Sequence, residues 1–310
     1  MVKKMFQSIE VFGEVLFDVF DCGEKIIGGA PFNVACHLVG LGSGVTFISR
    51  VGSDQLGRKV IVEMDARSIS TDFMQFDRYK PTGEVRVSLG NGEPQYEIKE
   101  DSAFDYIEFP ENIVEGRGEE KLFYHGTLAA RNGISFSTLE SLARRNNQKI
   151  FCDLNLREPF WSPELIKRVV SWSSFLKVNE EELKHIADIL GVCKKGILKK
   201  AELVLGKINV QTLIVTMGCK GAAILDRDDG CVFLPVSESE DLDNQEVNTV
   251  GAGDSFSAVV LLGIKKGWSW HDILKKAILV SHKVCCIKGA IPKKSQQKSF
   301  YGDLIKKLGS

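Results

Sequence analysis

The residues best placed to do chemistry stand near the C-terminus, in the run Asn248-Thr249-Val250-Gly251-Ala252-Gly253-Asp254-Ser255-Phe256, a glycine-bearing turn that leads into the apolar stretch 256–264. Gly251, Ala252 and Gly253 carry little or no side chain, so the backbone there can approach a ligand closely. The free N–H groups and the positive dipole end of the following helix make an anion site, into which a phosphoryl group fits. Asp254 at the same helix start then stands beside that phosphoryl, where a carboxylate can accept a proton from an attacking hydroxyl. The plain alternative is a turn closed by a capping aspartate. Neither a Walker A lysine loop nor a GxGxxG after the first strand is present, so those nucleotide sites do not compete.

The elements that must position this turn alternate. Strand-like runs at 8–16, 45–51, 121–124, 149–153, 174–178 and 212–216 are interleaved with helix-like runs at 31–41, 55–68, 136–146, 163–172 and 180–190. That rhythm implies βαβ units and a mostly parallel sheet covered by helices. Between 84 and 98 the pattern becomes two alternating runs around Asn91-Gly92, the mark of an antiparallel hairpin outside the parallel sheet. Such a hairpin is either surface decoration or a lid. The polar stretch 237–245 is expected as a solvated loop.

The chain has 310 residues, 44% hydrophobic, enough to bury a large core. Forty basic and forty-one acidic residues give a net charge of −1, which offers no positive field for nucleic acid or an anionic membrane. A small molecule is the expected partner. Glu10 and Gly13 interrupt the first apolar stretch, too short for a secretory core or a membrane span, so a cytoplasmic location is expected. Eight cysteines without a CxxC pair are expected as buried thiols.

The turn does not stand alone. Gly28-Gly29-Ala30-Pro31-Phe32-Asn33-Val34-Ala35, Gly13-Glu14-Val15-Leu16-Phe17-Asp18, Arg50-Val51-Gly52-Ser53-Asp54 with Gly57, Asp153-Leu154-Asn155-Leu156-Arg157, Asn179-Glu180-Glu181-Glu182 and Thr216-Met217-Gly218-Cys219-Lys220-Gly221 accompany it. Together, and in this order, they resemble the ribokinase-like carbohydrate kinases, also called the phosphofructokinase-B family, over nearly the whole chain. The run 248–254 resembles that family's DTxGAGD signature. The resemblance implies an ATP-dependent, magnesium-using sugar kinase in which Asp254 is the base and Gly251, Ala252 and Gly253 form the anion hole. Asp18, Gly28, Gly29 and Asn33 would hold the sugar: a carboxylate accepts from adjacent hydroxyls, and an amide both donates and accepts. Without the family, Asp18 is a turn residue and Asn33 a helix cap. Asn179 would lie near the nucleotide phosphates and Glu182 would organise water around Mg2+, their i, i+3 spacing placing both on one helix face; as plain acids at a helix start, Glu180 to Glu182 need no such role. Thr216, Gly218 and Gly221 would form the nucleotide loop, or an ordinary strand-ending turn. Arg157 either reaches the phosphates or pairs with Glu158 or Glu164.

The fold so implied is α/β, a single three-layer ribokinase-like domain over 1–310 with a mostly parallel central sheet, plus a small β lid drawn from parts of 13–27 and 82–107. Ala30 stands where ribokinases tend to have lysine, which points to a fructokinase and D-fructose. Ribokinase or 2-keto-3-deoxygluconate kinase activity is the enzymatic alternative, and a non-catalytic sugar sensor the other. Asn248 stands where the family usually has an aspartate beside a potassium site, so K+ activation is doubtful. Lid strands with an exposed edge suggest a homodimer.

Overall fold

The computed structural model describes residues 6–90, 93–113, 120–236 and 249–309. The first strand, β1 (Ile9–Phe12), is buried throughout. Gly13 ends it, with φ 148° and no room for a side chain: a Cβ there would lie 2.4 Å from the Pro31 ring. The chain then enters a different sheet through β2 (Leu16–Phe20) and β3 (Lys25–Gly28). The single strand expected over 8–16 is therefore two elements, because an alternating apolar pattern cannot reveal a glycine hinge between two sheets.

Next come α1 (Ala30–Gly40), β4 (Val45–Gly52), α2 (Gln55–Arg67) and β5 (Met74–Asp77), which return the chain to the first sheet. The hairpin β6 (Gly83–Gly90) and β7 (Glu93–Ile98) joins the second sheet, β6 pairing parallel with β2 and antiparallel with β7. Its turn residues Asn91 and Gly92 lie outside the described residues. Then β8 (Lys121–His125), α3 (Gly133–Ala143), β9 (Gln148–Asp153), α4 (Pro163–Trp172), β10 (Phe175–Asn179), α5 (Glu180–Ile189), α6 (Ile197–Lys207) and β11 (Thr212–Thr216) continue the alternation. Two antiparallel strands, β12 (Ala222–Asp226) and β13 (Gly230–Leu234), finish that edge, and α7 (Ala252–Lys266), α8 (Trp270–Cys285) and α9 (Lys294–Gly309) close the chain.

The large sheet has nine strands in the order β13-β12-β11-β10-β9-β8-β1-β4-β5, parallel from β5 to β11, and the small one has the order β3-β2-β6-β7. Strand alternation builds the layers. Phe151, Ile214 and Ile224 pack on one face with residues of α1, α7, α8 and α9. Their neighbours Cys152, Leu213, Val215 and Leu225 pack on the other with α4, α5 and α6. Each fully buried Leu, Ile or Phe contributes roughly 1.5–3 kcal/mol, so three layers hold the strand ends firmly.

The C-terminal ends of β1, β8, β9, β10 and β11 point the same way, and the loops after them collect the motifs. Crevices beyond such ends are where open α/β sheets bind ligands. Among the described residues no helix is long and apolar enough to cross a membrane. The cysteine expectation is corrected: Cys36 and Cys152 are buried, but Cys22, Cys193, Cys219, Cys231 and Cys286 are exposed free thiols. Most of them lie in loops and at element ends, where composition alone gives no depth. The loop expected at 237–245 lies outside the described residues.

Candidate active site

Gly251 precedes α7 in the left-handed region, φ 80° and ψ −4°. A Cβ on it would come within 2.4 Å of Ala290 Cα, so both its backbone and its surroundings demand glycine. Ala252, Gly253 and Asp254 form the first turn of α7, which has no side-chain cap. Ala252 N–H donates to Thr249 O at 3.3 Å, and the Gly253 N–H beside it is available to an anion. Asp254 does not cap its own helix. Its Oδ2 accepts instead from Asn33 Nδ2 of α1 at 2.8 Å.

This contact joins residues 221 positions apart, and Asn33 is itself 5% exposed, with Oδ1 lacking a hydrogen-bond partner. Burial raises the Asp254 carboxyl to about 6, against the opposing pull of Asn33, Lys177 and Arg157. Such a carboxyl is a better proton acceptor than an ordinary aspartate and is still ionised at neutral pH. Asp18, on β2, is likewise pushed up to about 6 by burial, with the Arg157 guanidinium working against it. Gly28 ends β3, where a Cβ would stand 3.5 Å from Asp18 Oδ2, and Gly29, with φ 105°, turns the chain into α1.

A cavity of about 450 Å3 is lined by Asp18, Gly29, Asn33, Gly251, Gly253 and Asp254, together with Glu14, Asn155, Arg157, Thr249 and Val250. Val85, Tyr96 and Ile98 of the small sheet face the same space. Gly28 and Ala252 adjoin it in sequence without lining it. Asn248 lies outside the described residues.

The second group of expected residues sits beside this cavity rather than in it. Asn179 and Thr216 are register partners at the ends of β10 and β11. Gly218 and Gly221, with φ 55° and 113°, shape the loop after β11, and a Cβ on Gly221 would strike Leu234 O at 2.1 Å. Glu182 and Asn179 form a reciprocal cap at the start of α5: Glu182 Oε2 accepts from Asn179 N and Asn179 Oδ1 from Glu182 N, each at 2.9 Å. Glu182 Oε1 takes Leu156 N at 2.9 Å. Both of its oxygens thus already serve backbone donors, and no cluster of three metal-binding side chains occurs among the described residues. This donor set does not fit a protein-built metal site.

Under the anion turn lies a buried network of which the sequence motifs contain only Asp153. Lys177 Nζ of β10 donates to both oxygens of Asp153 at the end of β9, each at 2.9 Å. Ser257 Oγ, on the second turn of α7, donates to Asp153 Oδ2 at 2.6 Å. Lys177 Nζ stands 3.6 Å from where a Gly253 Cβ would be. Lys177 therefore ties β10, which ends in Asn179, to the end of β9, and Ser257 ties Asp153 in turn to the helix that bears Asp254. A lysine in an apolar strand and an aspartate at a strand end are the signals that reveal it. Arg157, which the sequence leaves between two roles, makes no ion pair with Glu158 or Glu164 among the described residues; Glu158 accepts instead from Trp161 Nε1. Its guanidinium is exposed to the cavity and lowers the carboxyls of Glu14, Asp18 and Asp254.

Comparison with known proteins agrees with this arrangement. The model of the pfkB family carbohydrate kinases matches residues 9–297. The chain belongs to that family. It is 27% identical over 288 residues to a fructokinase of Vibrio alginolyticus, covering 87% of this chain and 89% of that one. The structure of an uncharacterized sugar kinase from Pyrococcus horikoshii in complex with ATP superposes with a TM-score of 0.77 at 26% identity, over 97% of this chain and 99% of the other. A Vibrio cholerae fructokinase bound to fructose, ADP and calcium shares the fold, with a TM-score of 0.77 at 22% identity over 96% and 99% of the chains. As a pfkB family carbohydrate kinase, the chain carries its large sheet and its small sheet in the arrangement seen in these relatives.

Proposed function

We propose that this carbohydrate kinase uses ATP to phosphorylate D-fructose, giving fructose 6-phosphate and ADP. The observation that carries the reading is Asp254, held by Asn33 at the open start of α7 within a cavity shared with Asp18 and Arg157. A sugar hydroxyl placed there attacks the γ-phosphorus; its new O–P bond forms as the bond to the β,γ-bridging oxygen breaks. The hydroxyl proton passes to Asp254, and ADP carries away the leaving electron pair. The N–H groups of Gly251 and Gly253, with that of Ala252 once it leaves Thr249 O, receive the charge on the transferred phosphoryl oxygens.

Asp18 and Asn33 offer acceptors and a donor to the ring hydroxyls, while Asn179, Thr216, Gly218 and Gly221 border the nucleotide. The relatives crystallised with ATP, or with ADP and calcium, support this assignment. With Glu182 already engaged, Mg2+ would arrive on the nucleotide phosphates and meet Glu182 only through water; when bound it supplies charge neutralisation at the phosphates. The small sheet acts as a lid: Tyr96 and Ile98 stand over the cavity, and closure excludes water. Its edges offer a surface for a homodimer. The complete base and anion turn argue against a non-catalytic sensor.

An ADP-release assay over D-fructose, D-ribose, 2-keto-3-deoxygluconate and nucleosides tests the reading. D-fructose is expected to give the highest kcat/KM. A keto acid as best substrate would move the assignment to the Arg157 guanidinium on the cavity wall, and release with none of the compounds would overturn it.

A further inference from the structure

Glu14 lies in the short connection between β1 and β2, 3% exposed, on the wall of the cavity. The backbone N–H groups of Ala30, at the start of α1, and of Glu14 itself favour its ionised form against burial. No side chain caps α1, because Gly29 precedes it and its first turn holds no acid. Glu14 therefore lies against that helix start without capping it through a hydrogen bond.

Its Oε2 is buried and has no hydrogen-bond partner, and neither has Asn33 Oδ1 on the adjoining turn of α1. Burying an acceptor without a donor is costly, and native proteins rarely leave such an atom without a purpose. Position 29 is held to glycine by a carbonyl: a Cβ there would stand 2.7 Å from Glu14 O. The fold thus presses Glu14 against the glycine turn and keeps it in the cavity wall, between Asp18 and Asp254.

Three acceptors around one cavity, Asp18, Asn33 Oδ1 and Glu14 Oε2, call for a ligand with several hydroxyl donors. Resting on the sugar-kinase reading above, we infer that Glu14 is a specificity-determining residue whose Oε2 contacts one sugar hydroxyl directly. Burial raises its carboxyl to about 7, against the pull of its backbone donors and Arg157, so near neutrality the contact can also be made as a neutral acid.

The discriminating experiment measures kcat/KM for D-fructose and each of its monodeoxy analogues with the wild-type enzyme, Glu14→Ala and Glu14→Gln. Losing the partner of a buried polar group typically costs a rate factor of about thirtyfold. The wild type should therefore reject one analogue by about that factor. In Glu14→Ala the rejection at that position should shrink to about threefold while the other positions keep theirs. Glu14→Gln, which keeps the side chain's size and so the packing around the helix start, should shrink it at the same position. If both variants keep the wild-type pattern of discrimination, or lose it equally at every position, Glu14 only packs against the helix start and the inference fails. Failure of the sugar-kinase reading would look different: the wild type itself would turn over neither D-fructose nor any analogue.

Discussion

Removing the Lys177 ammonium should show how far the buried pair beneath the anion turn supports both fold and reaction. In Lys177→Met, a side chain of similar length keeps the packing while Asp153 loses its cation. The two side chains are 8% and 2% exposed, so little solvent screens the loss. Breaking such a pair generally costs about 3–5 kcal/mol. Asp153 still has Ser257 Oγ at 2.6 Å and Tyr124 OH at 3.4 Å, which places the loss near the lower end, about 3 kcal/mol. At roughly 2 °C per kcal/mol for a chain of this size, Tm should fall by about 6 °C. The sign with pH follows from the raised folded pKa of Lys177, which its Asp153 partner sustains against burial. Stability from such a lysine is fully present below its unfolded value and is lost only as pH rises through the folded one, so the lysine's own share of the deficit should persist up to about pH 9.

The same variant has a catalytic reading. Lys177 and Arg157 pull the Asp254 carboxyl down while burial, Asp153 and Glu14 face it as the opposing influences. Without Lys177 the base should bind its proton more tightly, and the acid limb of the kcat/KM profile, expected near pH 6, should move to higher pH. Thermal melting and pH profiles read these two effects separately, and Lys177→Arg should restore part of each. A variant as stable as the wild type with an unmoved acid limb would refute the argument that this pair braces the base.

Other perturbations have equally definite outcomes. Asp18→Ala should raise the sugar KM by a factor equivalent to about 2–4 kcal/mol while leaving the ATP KM nearly unchanged, since its carboxylate faces the cavity and not the β10 and β11 loops; equal effects on both substrates would remove it from the sugar set. Gly251→Ala must relieve both a φ of 80° and a Cβ 2.4 Å from Ala290, so turnover should drop by about a hundredfold or more through a displaced anion turn, and near-normal kcat would show that the turn does not hold the phosphoryl group. With an amide at Asn248, potassium should stimulate the rate weakly or not at all relative to sodium at matched ionic strength, and severalfold activation specific to potassium would contradict the electrostatic argument.

Much of the layout was legible because its signals are local. The alternation of apolar strands and helices predicts the parallel sheet, and the glycine turn at 251–253 predicts the start of α7. What the chain does not announce is contact between distant segments. Asn33 reads as a helix cap, yet its amide reaches across 221 positions to Asp254, a pairing that only the closed three-layer fold creates. Asp153 and Lys177 look like an ordinary strand-end acid and an intrusive strand lysine until β9 and β10 lie side by side. Glu14 is hidden for a similar reason: Gly13 turns the chain between sheets, and nothing in the sequence tells which way the next side chain then points. Exposure of the cysteines was illegible too, since loop thiols and core thiols have the same chemistry on paper.

The central claim is that Asp254 takes the proton from the sugar hydroxyl. Its direct test is Asp254→Asn, which keeps a carbonyl for Asn33 Nδ2 and leaves the anion turn unaltered, with D-fructose and nucleotide affinities measured by calorimetry and kcat measured alongside. The account predicts affinities within about threefold of wild type and a kcat lower by about a hundredfold or more. Turnover near the wild-type value with both ligands bound would show that Asp254 is not the base.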